Sequence, residues 1–289
     1  MAIIEKLPII PGAFFLSRKH QPSVLRHLSS VFRNITYLAC NKLIMRKEYF
    51  IFLLAILVSM KSGAQLTVTF PSKDSLTVTA DWYPAESEMP IVLLCHQNRF
   101  SRGEYRETAV KLNKFGLNCL AIDQRVGDEV NGVKNETAAE ARAKKMNPVF
   151  TDAEQDIVAA LDYLDSKYKK KIILMGSSYS ASLALKIAAT NPKVLAVIAF
   201  SPGEYFEDKN LVAHSTRGLT KPVFLTSSKE EADGVTELTK NIMSKLKVQF
   251  IPQSKGEHGS KALWSTNPGY NEYWVSLMSF LARIKKIPN

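Results

Sequence analysis

The stretch "KKKIILMGSSYSASLALKIAAT", residues 169–190, decides how the chain is read. A basic start is followed by four apolar residues, Ile172, Ile173, Leu174 and Met175, then a glycine, then a run rich in alanine and leucine at helical spacing. That order predicts a strand, a tight turn and a helix. Ser178 stands in the turn, at the carboxyl end of the strand, where open parallel sheets gather their ligands. A turn this tight forces strained backbone angles on its central residue, so the positions two before and two after must be small. They are Gly176 and Ser180. The turn also aims a helix N-terminus at the space beside the hydroxyl, and its free N–H groups favour negative charge there.

Outward from this point the same alternation repeats. A hairpin is expected at the start of the body, "LTVTF" and "LTVTADWY" around a turn at Pro71 to Ser75. Short apolar runs follow at Ile91 to Cys95, Leu117 to Ile122, Ile172 to Met175, Val194 to Phe200, Val223 to Thr226 and Val248 to Ile251. Stretches of helical period separate most of them: Glu104 to Phe115, Asp152 to Tyr168, Ala181 to Ala189 and Thr236 to Leu246, with a last one at Asn271 to Lys286. Strands alternating with helices require crossover connections. The expected fold class is therefore α/β, a mostly parallel sheet of about eight strands with an antiparallel N-terminal hairpin and helices on both faces. The longest irregular piece, Asp123 to Phe150, is polar and lysine-rich, and is expected to be a lid or a surface excursion with a helix of its own.

The chain has 289 residues and a formal net charge of +11, which raises the question of a polyanionic partner. The charge is uneven. Residues 1–64 hold nine Lys/Arg against two Asp/Glu, or +7, which leaves 29 against 25, or +4, for residues 65–289. A body of +4 with scattered lysines has no basic stripe, so solvated surface is expected and no nucleic acid. Within the basic part, "MRKEYFIFLLAILVSMKSGAQ" from Met45 has a positive start, an apolar stretch of about 10 residues from Tyr49 to Val58, and small residues up to Ala64. This is the layout of a secretory signal peptide cleaved after Ala64. The apolar stretch falls short of the roughly 20 residues of a spanning helix, which favours export and removal over a permanent anchor. The domain expectation follows: 1–44 a non-native or disordered extension, 45–64 a signal peptide, 65–289 one domain, exported to a periplasm or secreted. Any membrane contact is expected only through an uncleaved signal segment. Cys95 and Cys119 lie in apolar strand-like runs and read first as buried hydrophobes, with a disulfide between neighbouring strands as the alternative.

A serine hydroxyl that is to attack needs a base, and the base needs an acid to orient it. His258, in "PQSKGEHGSKALW" just after the last strand-like run, can reach the turn at Ser178, and glycines on either side let its ring project. His96 ends the strand "IVLLC" and is expected to fix the turn that follows. The amide of Gln97 or Asn98 would then join that of Tyr179 as an oxyanion hole. His214 reads as surface. After the strand "PVFLT" comes "SSKEEADG", where Glu231, nine residues after Pro222, is the expected acid, and Glu230 and Asp233 are alternatives. Tyr179, Phe100 and Tyr205 read either as acyl-pocket lining or as ordinary packing.

With Ser178, Glu231 and His258 in that order, residues 66 to 286 resemble the α/β-hydrolase superfamily. The motifs are "GSSYS", "CHQNRFSRGEY", "LNCLAIDQRVGD", "PVFLTSSKEEAD" and "GEHGS". The compact body is similar to the dienelactone-hydrolase-like and small serine esterase branch. That resemblance implies an eight-stranded sheet and cleavage of an ester or related acyl bond in a small-molecule substrate through an acyl-serine. It implies no metal or organic cofactor. Two positions depart from the pattern: Ser180 replaces the elbow's last glycine, and serine stands where true dienelactone hydrolases carry cysteine, so their substrate is not carried over. The rival expectation is a catalytically inactive hydrolase fold acting as an exported binding protein.

Overall fold

The computed structural model describes residues 65–85 and 88–286; the segments read as extension and signal peptide lie outside the described residues. The body opens with the expected hairpin, β1 (Leu66–Pro71) and β2 (Thr77–Tyr83), paired antiparallel from Leu66 opposite Trp82 to Pro71 opposite Thr77. The remaining strands are β3 (Ile91–Cys95), β4 (Asn118–Ile122), β5 (Ile172–Ser177), β6 (Val194–Phe200), β7 (Val223–Thr226) and β8 (Lys247–Phe250). They form one eight-stranded sheet in the order β1-β2-β4-β3-β5-β6-β7-β8. From β4 to β8 every neighbouring pair is parallel, and β2 meets β4 antiparallel. This is the mixed sheet that the sequence predicts.

Seven helices are described: α1 (Arg106–Lys114), α2 (Glu136–Ala143), α3 (Glu154–Tyr168), α4 (Tyr179–Thr190), α5 (Leu211–Ser215), α6 (Ala232–Thr239) and α7 (Tyr270–Ile284). The central strands are apolar along their whole length because the sheet is covered on both faces. Ile91, Leu93 and Cys95 of β3 point into a core shared with α3, α4 and Val235 of α6. Val92 and Leu94 point the other way, into a core closed by Leu112 of α1 and by Trp274, Leu277, Phe280 and Leu281 of α7. The period of two along each strand thus divides one chain into two apolar layers.

That division also settles the cysteines. Cys95 lies opposite Ile122 and Cys119 opposite Val92, and the two side chains enter different layers. Both are free and buried, so the disulfide alternative is overturned and the apolar reading holds.

Several element limits shift by a residue or more, and three parts of the chain bear most on the site. The first helical stretch begins with a 3-10 turn at Arg102–Tyr105, capped by the Ser101 hydroxyl. Helix α6 occupies Ala232–Thr239 rather than Thr236 to Leu246, because the acid turn leads directly into it. The long segment 123–150 carries its expected helix, α2, but is tied down rather than hinged. Asn135 caps α2 through the Ala138 N–H, and its amide also donates to the carbonyls of Gln124 at 2.9 Å and Phe100 at 3.2 Å. Asp123 accepts from the Glu136 N–H at 2.8 Å, and the Thr137 hydroxyl accepts from the Thr79 N–H at 3.0 Å. Among the described residues no helix is long and apolar enough to cross a membrane.

Candidate active site

The carboxyl ends of β3, β5, β6 and β7 and the loop after β8 converge on Ser178. This residue has φ 58° and ψ −125°, a conformation that a non-glycine residue adopts only when its surroundings impose it. Gly176 is the reason the turn can close: a Cβ there would lie 2.4 Å from the carbonyl oxygen of Ser180. Ser180 has a use of its own, since its hydroxyl donates to the His96 carbonyl and accepts from the Gln124 amide at 2.7 Å. The side chain in place of glycine therefore ties the elbow to the end of β3. The Ser178 N–H donates to the Phe200 carbonyl at 2.8 Å, and Tyr179 begins α4, so its amide is among those without an intrahelical partner.

His258 meets Glu231 through Nδ1, which leaves Nε2 as the nitrogen for a hydroxyl. The loop that carries His258 is fixed against the elbow by its next two residues. The Gly259 N–H donates to the Ser201 hydroxyl at 3.0 Å, and the Ser260 N–H donates to the hydroxyl of Ser177, the neighbour of Ser178, at 2.8 Å. Gly259 has φ 71°, and a Cβ on it would fall 2.4 Å from Gln97 Oε1 and 2.6 Å from Ser177 Oγ. Only glycine passes there. Glu231 also accepts from the Ser201 hydroxyl at 2.8 Å and from the Ser228 N–H and hydroxyl at 3.0 and 2.9 Å. Burial pushes its carboxyl up, but the hydrogen bonds from His258, Ser201 and Ser228 outweigh that and hold it at about 2. The two alternative acids are not on the ring: Glu230 is exposed and reaches Lys255 at 3.9 Å, and Asp233 lies exposed in the first turn of α6.

His96 does the structural work expected of it. Its Nε2 accepts from the Gln124 N–H at 2.9 Å, so Nδ1 carries the proton and donates to the Gln97 carbonyl at 2.8 Å. Burial lowers its pKa to about 4 and keeps the ring neutral. Of the two expected oxyanion amides, that of Gln97 is turned away: it donates at 2.8 Å to Glu104 Oε2. Asn98 is the candidate that remains. His214 is exposed on α5, as read.

The three aromatic residues divide. Tyr179 is buried and stacked on Phe150 at 4.6 Å, and Phe100 stacks on Trp264 at 6.1 Å, so both pack rather than line a pocket. Tyr205 borders a cavity of about 620 Å³ walled by Val126, Pro148, Val149, Phe150 and Leu211. Its hydroxyl donates to the Ser201 carbonyl at 2.8 Å and lies beside the Ser178 side chain. Sequence reasoning missed Ser201, Ser228 and Glu104, which act across gaps of 30 residues (Ser201 to Glu231), three (Ser228 to Glu231) and 156 (Glu104 to Ser260). For Ser228 the signal was present in the acid turn itself; for the other two there was none. Among the described residues no group of three His, Cys, Asp or Glu side chains is arranged to hold a metal ion.

Sheet order, elbow and loop placement together define the α/β-hydrolase fold, in its compact dienelactone-hydrolase-like form. Among solved structures the chain is similar to an esterase of Pyrococcus furiosus, at 20% identity over 77% of this chain and 93% of that one, with a TM-score of 0.59. It is also similar to a dienelactone hydrolase from Anabaena variabilis, at 18% identity over 76% and 96%, with a TM-score of 0.58. A cold-adapted esterase from an Arctic intertidal metagenomic library gives 19% identity over 78% and 96%, with a TM-score of 0.56. No protein-family model and no curated protein matches the chain.

Proposed function

We propose that the chain is an exported serine hydrolase that cleaves an ester of an apolar carboxylic acid through Ser178, His258 and Glu231. The observation that carries this reading is the seating of the histidine loop, with His258 on Glu231 and its neighbours bonded to Ser177 and Ser201, beside a serine at φ 58°.

In this reading His258 Nε2 takes the Ser178 proton as Oγ bonds to the acyl carbon, and the carbonyl electron pair moves onto oxygen. The amides of Tyr179 and Asn98 hold that oxyanion. The tetrahedral species collapses, the bond to the leaving oxygen breaks, and His258 returns the proton to the departing alcohol. Water then attacks the acyl-serine by the same proton route and frees the acid. Glu231 keeps the imidazole oriented and stabilises its charged form. The cavity beside Tyr205 is the seat for the acyl chain, since Val126, Pro148, Phe150 and Leu211 present apolar walls and Tyr205, on its border, lies beside Ser178. Export rests on the signal-like segment 45–64 alone.

Ser178→Ala is expected to lower kcat on a p-nitrophenyl ester by about 10⁶-fold, with the fold intact by circular dichroism. A fluorophosphonate probe should label the native chain and not the variant. Full activity in the variant would sink the proposal, and a native chain that folds but neither labels nor hydrolyses would make the inactive binding protein the better account.

A further inference from the structure

Glu104 is a fully buried carboxyl at the carboxyl end of the parallel strands that the reaction scheme leaves without a task; Asp123 and Asp156, equally buried there, are paired with Arg102 and Arg125. It lies in the 3-10 turn after β3, at 0% exposure, and its two oxygens are taken by different parts of the site. Oε2 accepts from the Gln97 N–H at 2.8 Å, and Oε1 accepts from the Ser260 hydroxyl at 2.5 Å. Ser177 lies within hydrogen-bonding reach as well, and its own oxygen accepts from the Ser260 N–H. The main chain of Glu104 is fixed in turn, its carbonyl accepting from Trp264 Nε1 at 2.9 Å. One carboxyl therefore joins the strand end that leads to Asn98, the residue before Ser178, and the loop that carries His258. Gln97 and Ser177 each neighbour a residue assigned to the reaction, and Ser260 stands two residues after His258.

We infer that Glu104 is a positioning residue that clamps the oxyanion loop and the histidine loop to the elbow, fixing the Asn98 amide and the His258 imidazole relative to Ser178. The inference rests on the reading of Ser178 as nucleophile. Glu104 does not touch the reacting atoms; it acts through Gln97, Ser177 and Ser260. Two features set it apart from an ordinary structural tie. A buried carboxyl is costly unless its lone pairs are used, and here its ligands come from the end of β3, the end of β5 and the histidine loop rather than from its own element. Among the described residues no arginine or lysine is hydrogen-bonded to it, and burial pushes its pKa up to about 7, against the pull of the Ser260, Gln97 and Ser177 hydrogen bonds. Such carboxyls concentrate at working sites.

The test compares Glu104→Ala, Glu104→Gln and Ser260→Ala by fluorophosphonate labelling and by kcat and KM on p-nitrophenyl butyrate. Labelling separates the fraction of chains with a formed site, read as amplitude, from the reactivity of each formed site, read as rate. A clamp predicts that Glu104→Ala keeps its amplitude while labelling rate and kcat fall on the order of 100-fold and KM moves little, the signature of misplaced catalytic groups. Glu104→Gln, which still accepts from Gln97 and can donate to Ser177 or Ser260, should recover to within about tenfold of the native rate, and Ser260→Ala, missing one arm, should fall by about tenfold. A native rate per labelled site in Glu104→Ala, or a loss confined to amplitude, overturns the inference. Should Glu104→Ala not fold, a native labelling rate in Ser260→Ala overturns it equally. Activity surviving in Ser178→Ala would instead remove the nucleophile reading, so the two failures are distinguishable.

Discussion

Glu231 shows how a single side chain is tuned by what touches it. Half-buried, it would ordinarily titrate above 4.5, yet donors from His258, Ser201 and Ser228 hold it at about 2. The sign of the linkage follows. A carboxyl whose pKa is depressed by folding contributes stability that is fully present above its ordinary value near 4.5 and is lost as pH falls through about 2. Glu231→Gln should therefore be less stable than the native chain at pH 6, and urea unfolding should show the gap closing by pH 2; a gap that does not depend on pH would contradict the assigned bonds. In the proposed reaction the same change lowers kcat by about 10⁴-fold, because a neutral amide can hold the wrong tautomer of the base. Residues at this scale were legible in the sequence only where position along a strand constrains them. Ser178, Glu231 and His258, the residues of the proposed reaction, each follow an apolar run by a few residues, and the structure brings the last two into contact. The choice between Gln97 and Asn98 turned on Glu104, whose partner at Ser260 no local pattern could reveal.

Among the elements, the strands were the most legible because burial on both faces leaves continuous apolar runs, and the crossover rule then fixes their parallel pairing. Edges read less well. The residues of β8 are only half-buried, and its limits shifted by one residue from those expected. Loops read worst, since segment 123–150 takes its path from bonds to His96, Phe100 and Thr79 rather than from its own composition. Helix α5 and the 3-10 turn at Phe150–Ala153 face each other across the cavity beside Tyr205. Leu211→Trp would fill part of that space from the side facing Phe150. The expected result is a shift toward shorter acyl chains, with each methylene no longer housed costing about 0.8 kcal/mol, or about fourfold in kcat/KM. A p-nitrophenyl series from acetate to decanoate measures it, and an unchanged chain-length profile would place the acyl group elsewhere.

Over the whole molecule, two ionic junctions hold the N-terminal hairpin to the parallel part of the sheet. Arg102 bridges Asp81 and Asp123, and Arg125 bridges Asp156 of α3 and Asp74 of the hairpin turn. Arg125 and Asp156 are almost fully buried, at 1% and 0% side-chain exposure, so Arg125→Ala strands a carboxylate in the core. Denaturant titration should register a loss of about 3–5 kcal/mol, and a loss under 1 kcal/mol would mean the junction is solvated in solution. The seating of the histidine loop against Ser177 and Ser201 has one more consequence, for the life of the nascent chain. In the proposed reaction the nucleophile is synthesised some eighty residues before its base, and the loop of that base is held only once the last parallel strands are in place. On that proposal, reactivity at Ser178 is a late event in biogenesis, and its appearance is a readout that the topology has been completed.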